Sequence, residues 1–228
     1  MLYILTEQFN IKFKTYWKLF LSIYAFSVVF YVLFITQLLT NTADGLWHNS
    51  YYTAGWLEFS TGRWVLPYMD RLHLGMQVEP VISCLTIGLI LLAVILIIDL
   101  LKLRGPLAYI MAAYIMNNTI VTCILSYRFT AISYGLGVLL GVAAAWFLMQ
   151  DYMGRLRYLL SLICLIGCLG IYQANIAVAA VLMVFIFIRK ILDDWDRKEL
   201  ISFVLSCMVL MILACILYRV VALLHMWV

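Results

Sequence analysis

Long apolar stretches alternate along this chain with short polar segments, and one polar segment, residues 40 to 79, is far larger than the rest. A helix needs about 20 apolar residues to cross a hydrocarbon core of about 30 Å. By that measure the pattern predicts membrane helices over roughly 17–39, 80–101, 107–126, 130–149, 158–172, 175–189 and 200–222. The fifth and sixth come from a run, 158 to 188, that carries no charge. As one helix it would reach about 46 Å at 1.5 Å per residue, too long to cross without strong tilt. A break at Tyr172-Gln173-Ala174-Asn175 divides it into two short helices.

The basic residues favour that division, because lysine and arginine are retained on the cytoplasmic side. With seven spans and a cytoplasmic N-terminus, Lys12, Lys14, Lys18, Lys102, Arg104, Arg155, Arg157, Arg189, Lys190, Arg197 and Lys198 lie inside, and Arg63, Arg71, Arg128 and Arg219 lie outside. Fusing the two short helices would move four of the inside residues out and erase the bias. The large polar segment, the turn Ser126-Tyr127-Arg128-Phe129 and the break at Gln173 are then extracytoplasmic.

Composition agrees: 67% of residues are hydrophobic and 11% are charged, outside the range of soluble domains. The formal charge of +4 is scattered at the ends of apolar runs, so nucleic-acid binding is not expected. Six cysteines, at 84, 123, 164, 168, 207 and 215, all fall in apolar segments without CxxC or metal-ligand spacing. They read as small hydrophobes, and neither a disulfide framework nor a metal site is expected. The first apolar run is too long for a signal peptide and lacks a small-x-small cleavage site, so it reads as a retained span. No repeat, low-complexity stretch or linker divides the chain, which predicts a single transmembrane domain over 1–228. The chain stops just after the seventh span, leaving open a shortened member of a larger architecture.

Candidate chemistry concentrates in residues 40–79. Trp47, Tyr51, Tyr52, Trp56 and Phe59 recur at roughly helical steps, suiting a helix in the headgroup plane, and a second short helix is expected near Gly62-Arg63-Trp64. Asp44, just beyond the first span and followed by Gly45, could accept a proton from a hydroxyl bound at the membrane surface; it could equally cap the loop helix. Arg63 and Arg128 are planar, permanently charged groups suited to phosphate, and equally suited to headgroup binding. Glu79 precedes Pro80 and reads as an acid at a helix N-terminus, and Asp70 and Arg71 are expected to pair. Gln173 and Asn175 sit at the break, where amides satisfy one another or face a polar cavity. His48 and His73 have no spaced ligand partner and default to solvated loop residues.

The order of Asp44-Gly45-Leu46-Trp47, an aromatic-rich loop and Gly62-Arg63-Trp64-Val65-Leu66-Pro67 resembles the bacterial glucosyltransferase II-like family of membrane glycosyltransferases. The Ser-Tyr-Arg-Phe turn at 126–129 and Ile171-Tyr172-Gln173-Ala174 resemble it too. The resemblance implies an all-α, GT-C type fold of about seven transmembrane helices, with interfacial helices in the first extracytoplasmic loop and a catalytic carboxylate there. It implies an inverting enzyme of the bacterial cell membrane that moves a sugar, commonly glucose, from a polyprenyl-phosphate carrier to a cell-surface glycan, with no further cofactor. Family members are often about twice as long and frequently show an acidic pair where this chain has Ala43-Asp44.

Carried onto these positions, Asp44 would be the general base, with Asp70, Glu79 and His48 as secondary candidates. Arg63 or Arg128, with Tyr127, Trp64 and Gln173, would bind the departing phosphate. The carrier would enter sideways between spans. Two other classes fit the same residues: a carrier or flippase for a lipid-linked sugar, and a non-catalytic membrane subunit or truncated remnant. Against the carrier, no acid lies at mid-membrane to couple ions, and Asp99 sits near Lys102 at a helix end.

Overall fold

The computed structural model describes residues 2–37, 43–47, 51–72, 74–76 and 78–226; His48 and His73 lie outside them. Among these residues the structure is helical apart from turns, loops and one isolated antiparallel bridge between Tyr51 and Met76. The helices are α1 (Leu2–Phe30), α2 (Val32–Gln37), α3 (Ala43–Trp47), α4 (Trp56–Ser60), α5 (Leu66–Leu72), α6 (Val81–Leu100), α7 (Gly105–Met116), α8 (Thr119–Ser126), α9 (Ala131–Leu148), α10 (Leu156–Ile171), α11 (Ile176–Leu192) and α12 (Arg197–Met226).

Four segments are long and apolar enough to cross a membrane: Val81–Leu100, Arg128–Leu148, Gln173–Leu192 and Arg197–His225. The bent pair α7–α8 makes a fifth if it counts as one span, and α10 is a shorter apolar helix. The chain is therefore a helical membrane protein with four to five spans by length and composition, where the apolar runs predicted seven. The first helix falls outside this set because Lys12, Lys14 and Lys18 lie along it and the helix is interrupted at Tyr31.

The chain forms two compact units, one of Met1–Thr53 with Asp70–Leu139, the other of Ala54–Met69 with Leu140–Val228. In the first, α1, α6 and α7 pack together around Leu19, Ile23, Ile87, Leu91, Val94, Ile98, Ala112 and Met116. Ala108 and Ala112 are buried on α7, where small side chains let helix backbones approach. Asp99 lies near Lys102 at the helix end, as expected, its carbonyl accepting from the Lys102 N–H at 3.1 Å, and its carboxylate is held by the first helix: the Lys12 ammonium donates to one oxygen at 2.5 Å and the Tyr16 hydroxyl to the other at 3.0 Å. A carboxylate at the end of so apolar a helix needs such partners.

The expected span 107–126 bends by 45° between α7 and α8. The cause is the Asn117-Asn118 pair. The Asn118 side chain accepts from the backbone N–H groups of Ile120 (2.8 Å) and Val121 (3.3 Å), capping a new helix, while its own amide donates to the Ile115 carbonyl at 2.6 Å. A side chain that competes with the backbone in this way ends one helix and starts another.

In the second unit α10 packs on α12, and α11 contacts both. Ser161, Cys164, Leu165, Cys168 and Leu169 make the buried stripe of α10 at three- and four-residue steps. All six thiols are free; Cys164 and Cys168 are buried, whereas Cys123 and Cys215 are exposed. The predicted break between α10 and α11 is present. Tyr172 adopts an extended conformation, Gln173–Asn175 makes one tight turn, and α11 begins at Ile176.

Candidate functional site

The described residues of the polar segment form short pieces rather than one aromatic-faced helix. Tyr51 and Tyr52, expected inside that helix, lie in an extended strand-like stretch, where the Tyr52 N–H donates to the Gly75 carbonyl at 2.9 Å. Gly75 has φ +70, and a Cβ there would stand 2.6 Å from the Tyr52 carbonyl oxygen, so only glycine permits this approach. Gly55 then opens α4, its N–H donating to the Glu58 carboxylate at 2.7 Å, which is half of a capping box. Pro67 occupies the first turn of α5, where its missing N–H costs nothing.

Asp44 lies in the first turn of α3 and is exposed. It is inside the short helix rather than capping it, at the end where the helix dipole favours an acid.

Within the second unit the Gly62-Arg63-Trp64-Val65 segment docks on the break between α10 and α11. The Val65 N–H donates to the Gly170 carbonyl at 3.0 Å. The Gln173 amide nitrogen donates to the Thr61 carbonyl at 2.6 Å and to the Tyr218 hydroxyl at 2.7 Å. The Arg63 guanidinium lies over the Tyr172 ring, 4.9 Å from its centre, a cation–π contact. Gly170 makes the approach possible: a Cβ there would stand 2.7 Å from both Trp64 Cε2 and Val65 Cγ2.

Three buried donors around this junction have no hydrogen-bond partner among the described residues: Arg63 Nε, Trp64 Nε1 and Asn175 Nδ2. A donor kept from water without an acceptor costs about 1–3 kcal/mol. The junction is thus rich in N–H groups suited to an acceptor-rich ligand such as a phosphate or a sugar.

A ring cluster adjoins it. His225 stacks on Trp64 (centroids 5.2 Å apart) and on Phe59 (6.1 Å), and meets Tyr68 edge-on. His225 Nδ1 is 2.9 Å from the Val221 carbonyl, which only accepts, so Nδ1 carries a proton there, and Nε2 pairs with the Tyr68 hydroxyl at 2.9 Å.

The first unit holds the other predicted residues. Arg128 opens a single tight turn, Arg128–Thr130, and is only 6% exposed, while Asp70 is 1% exposed. Tyr127 packs against Phe129 and Tyr134, and Tyr52 meets Phe129 edge-on at 4.8 Å. Glu79 accepts from the Ser83 N–H at 3.1 Å and the Ser83 hydroxyl at 2.8 Å, the helix N-terminal role expected of it. Burial pushes its carboxyl above the ordinary range, against the opposing pull of the Ser83 hydrogen bonds and the Arg128 charge.

Of the sequence candidates, the structure brings Arg63, Trp64 and Gln173 together in one unit, and places Asp44, Asp70, Glu79, Tyr127 and Arg128 in the other. Sequence reasoning missed Tyr68, Gly170, Tyr218 and His225. A polar-tipped tyrosine and a histidine late in an otherwise apolar helix were the available signal, since polar groups in such helices need partners.

The model of the family described as Glucosyl transferase GtrII matches residues 44–228. No curated protein and no solved structure matches the chain.

Proposed function

Because this chain belongs to the GtrII glucosyl transferase family and is a helical membrane protein, we propose that it transfers glucose from a polyprenyl-phosphate carrier to a cell-surface glycan or polymer. The observation that carries the donor assignment is the docking of Gly62-Arg63-Trp64 on the α10–α11 break, which gathers a guanidinium and unpartnered indole and amide N–H groups. Such groups stabilise a phosphate as negative charge develops on it.

In this reading the acceptor hydroxyl attacks the anomeric carbon, forming the new glycosidic bond as the bond from that carbon to the phosphate oxygen breaks. The hydroxyl proton passes to the Asp44 carboxylate, and a single displacement of this kind inverts the anomeric centre. Asp44 is preferred over the secondary acids on access: it is exposed, whereas Asp70 is 1% exposed and Glu79 is engaged by Ser83. Arg63 is preferred over Arg128 for the phosphate, because Arg128 is buried beside Glu79 and helps balance that acid. Asp70, Arg128 and Tyr127 then shape the first unit. The donor is already activated, so no cofactor is invoked.

The topology proposed for this function is a GT-C-like chain in a bacterial cell membrane with seven crossings: α1–α2, α6, α7–α8, α9, α10, α11 and α12. Its N-terminus is cytoplasmic, and the loop carrying Asp44 and Arg63 is extracytoplasmic, the orientation that the bias of basic residues favours.

The test is transfer of radiolabelled glucose from polyprenyl-phosphate glucose to an acceptor glycan in proteoliposomes. Asp44→Asn keeps size, loses only a charge–dipole contribution of about 0.3–1 kcal/mol at the start of α3, and cannot take a proton, so transfer should fall about a hundredfold or more with expression retained. Arg63→Lys keeps charge and loses the planar fork, and should fall in between. Movement of intact donor across the bilayer without a new glycosidic bond would establish a carrier instead. Full activity in Asp44→Asn would pass the base role to Asp70 or Glu79.

A further inference from the structure

We infer that Tyr218, on the last helix, is a positioning residue of the transfer site, setting the place of Arg63 through Gln173 and Gly62; the inference rests on the transferase reading above. A carboxamide nitrogen has two hydrogens. Both of those on Gln173 are used, one on the Thr61 carbonyl and one on the Tyr218 hydroxyl. Gln173 therefore has no amide hydrogen left for substrate and acts as a tie between the loop and α12. The Tyr218 oxygen accepts from Gln173.

Gly62 carries the second half of the argument. Its φ is +82, a conformation that side chains resist, and a Cβ there would run into the Tyr218 hydroxyl and stand 3.1 Å from the Gln173 amide nitrogen. The hydroxyl thus fills the space a side chain at 62 would take. Arg63 follows directly, its N–H donating to the Glu58 carbonyl at 2.8 Å and its guanidinium lying over Tyr172, the neighbour of Gln173. Gly62, which precedes Arg63, and Gln173, which follows the Tyr172 ring under its guanidinium, both meet the Tyr218 hydroxyl.

A purely architectural role predicts something different. The last helix is already attached through its packing on α10 and through Tyr68 and His225. Removing one hydroxyl should leave that attachment in place and loosen Gln173 and the Gly62–Arg63 backbone. Kinetics should move more than stability.

The experiment uses the full chain in proteoliposomes with polyprenyl-phosphate glucose as donor, comparing Tyr218→Phe, Gly62→Ala and the double variant. Tyr218→Phe should lower kcat about tenfold, the worth of one neutral hydrogen bond, with KM for the donor within twofold and the thermal midpoint near wild type. Gly62→Ala should lower the midpoint and the rate, and the double variant should be less impaired than the sum of the two, because the added methyl no longer meets the hydroxyl. Tyr218→Phe at full kcat in an active preparation, or strictly additive midpoints, would overturn the inference alone. Wild type that transfers no glucose would sink the transferase reading and this inference with it. If Tyr218→Phe were poorly folded, Gly62→Ala with an unchanged rate and midpoint would overturn the inference by itself.

Discussion

Replacing Gly170 by alanine should separate stability from activity. Gly170 lies in the last turn of α10, and its added Cβ would stand 2.7 Å from Trp64 Cε2 and Val65 Cγ2, and 2.9 Å from Trp64 Cζ2. Carbon atoms prefer separations of about 3.5–4.0 Å, so the docked segment must withdraw by about 1 Å. The indole offers no flexible tip to give way, because it is a rigid ring stacked on His225. Overpacking of this kind costs about 1–3 kcal/mol, and alanine returns about 1 kcal/mol over glycine in a helix. The net loss is about 0–2 kcal/mol. At about 2–4 °C per kcal/mol for a chain of this size, the thermal midpoint should fall by less than about 8 °C. Catalysis should suffer more, since a 1 Å misplacement of a positioned group costs about a hundredfold. Arg63 is the neighbour of Trp64 and would shift with it. Initial transfer rates and thermal midpoints of purified wild type and Gly170→Ala in detergent measure both effects. A variant with transfer within twofold of wild type would refute the argument that this junction builds the site.

Two further outcomes follow. In a cysteine-free background, Ser60→Cys should label with a membrane-impermeant maleimide in intact cells and Gly154→Cys should not, and the reverse pattern would invert the proposed topology. Because burial outweighs the Ser83 and Arg128 contributions at Glu79, the folded chain holds that proton more tightly than the unfolded one. Its stabilising contribution is then fully present below the unfolded carboxylate range and lost as pH rises through the raised value. Wild type should lose thermal midpoint relative to Glu79→Gln between about pH 4 and neutrality, and a constant difference across that range would contradict the assignment.

Hydrophobic content and length were enough to make this an all-helical membrane protein, because a lipid solvent admits few ways to satisfy a backbone. The break at Tyr172–Asn175 was legible for the same reason: a charge-free run too long for one crossing, interrupted by two amides, has to turn. Glu79 at the start of α6 followed from local chemistry alone. The bend at Asn117-Asn118 was harder, since asparagine in an apolar run is compatible with a straight helix until its side chain is seen capping the next turn. Hydropathy also could not pair Asp99 with Lys12, because ion pairing depends on which helices pack and not on which residues are near in sequence.

The site divides along the same line. Local sequence marked Arg63, Trp64 and Gln173 as unusual for their surroundings, since polar groups in a mostly apolar chain are costly wherever they lie. Nothing local joined residues 62–65 to 170–175, or brought Tyr218 and His225 from the last helix to them. Those contacts depend on two glycines, at 62 and 170, whose missing side chains leave room for a hydroxyl and an indole that come from elsewhere in the chain. Residue types and hydropathy determined what kind of protein this is, because solvent and backbone chemistry act through composition. Which donors share one junction was decided only by the tertiary packing, because a void is a property of several segments at once.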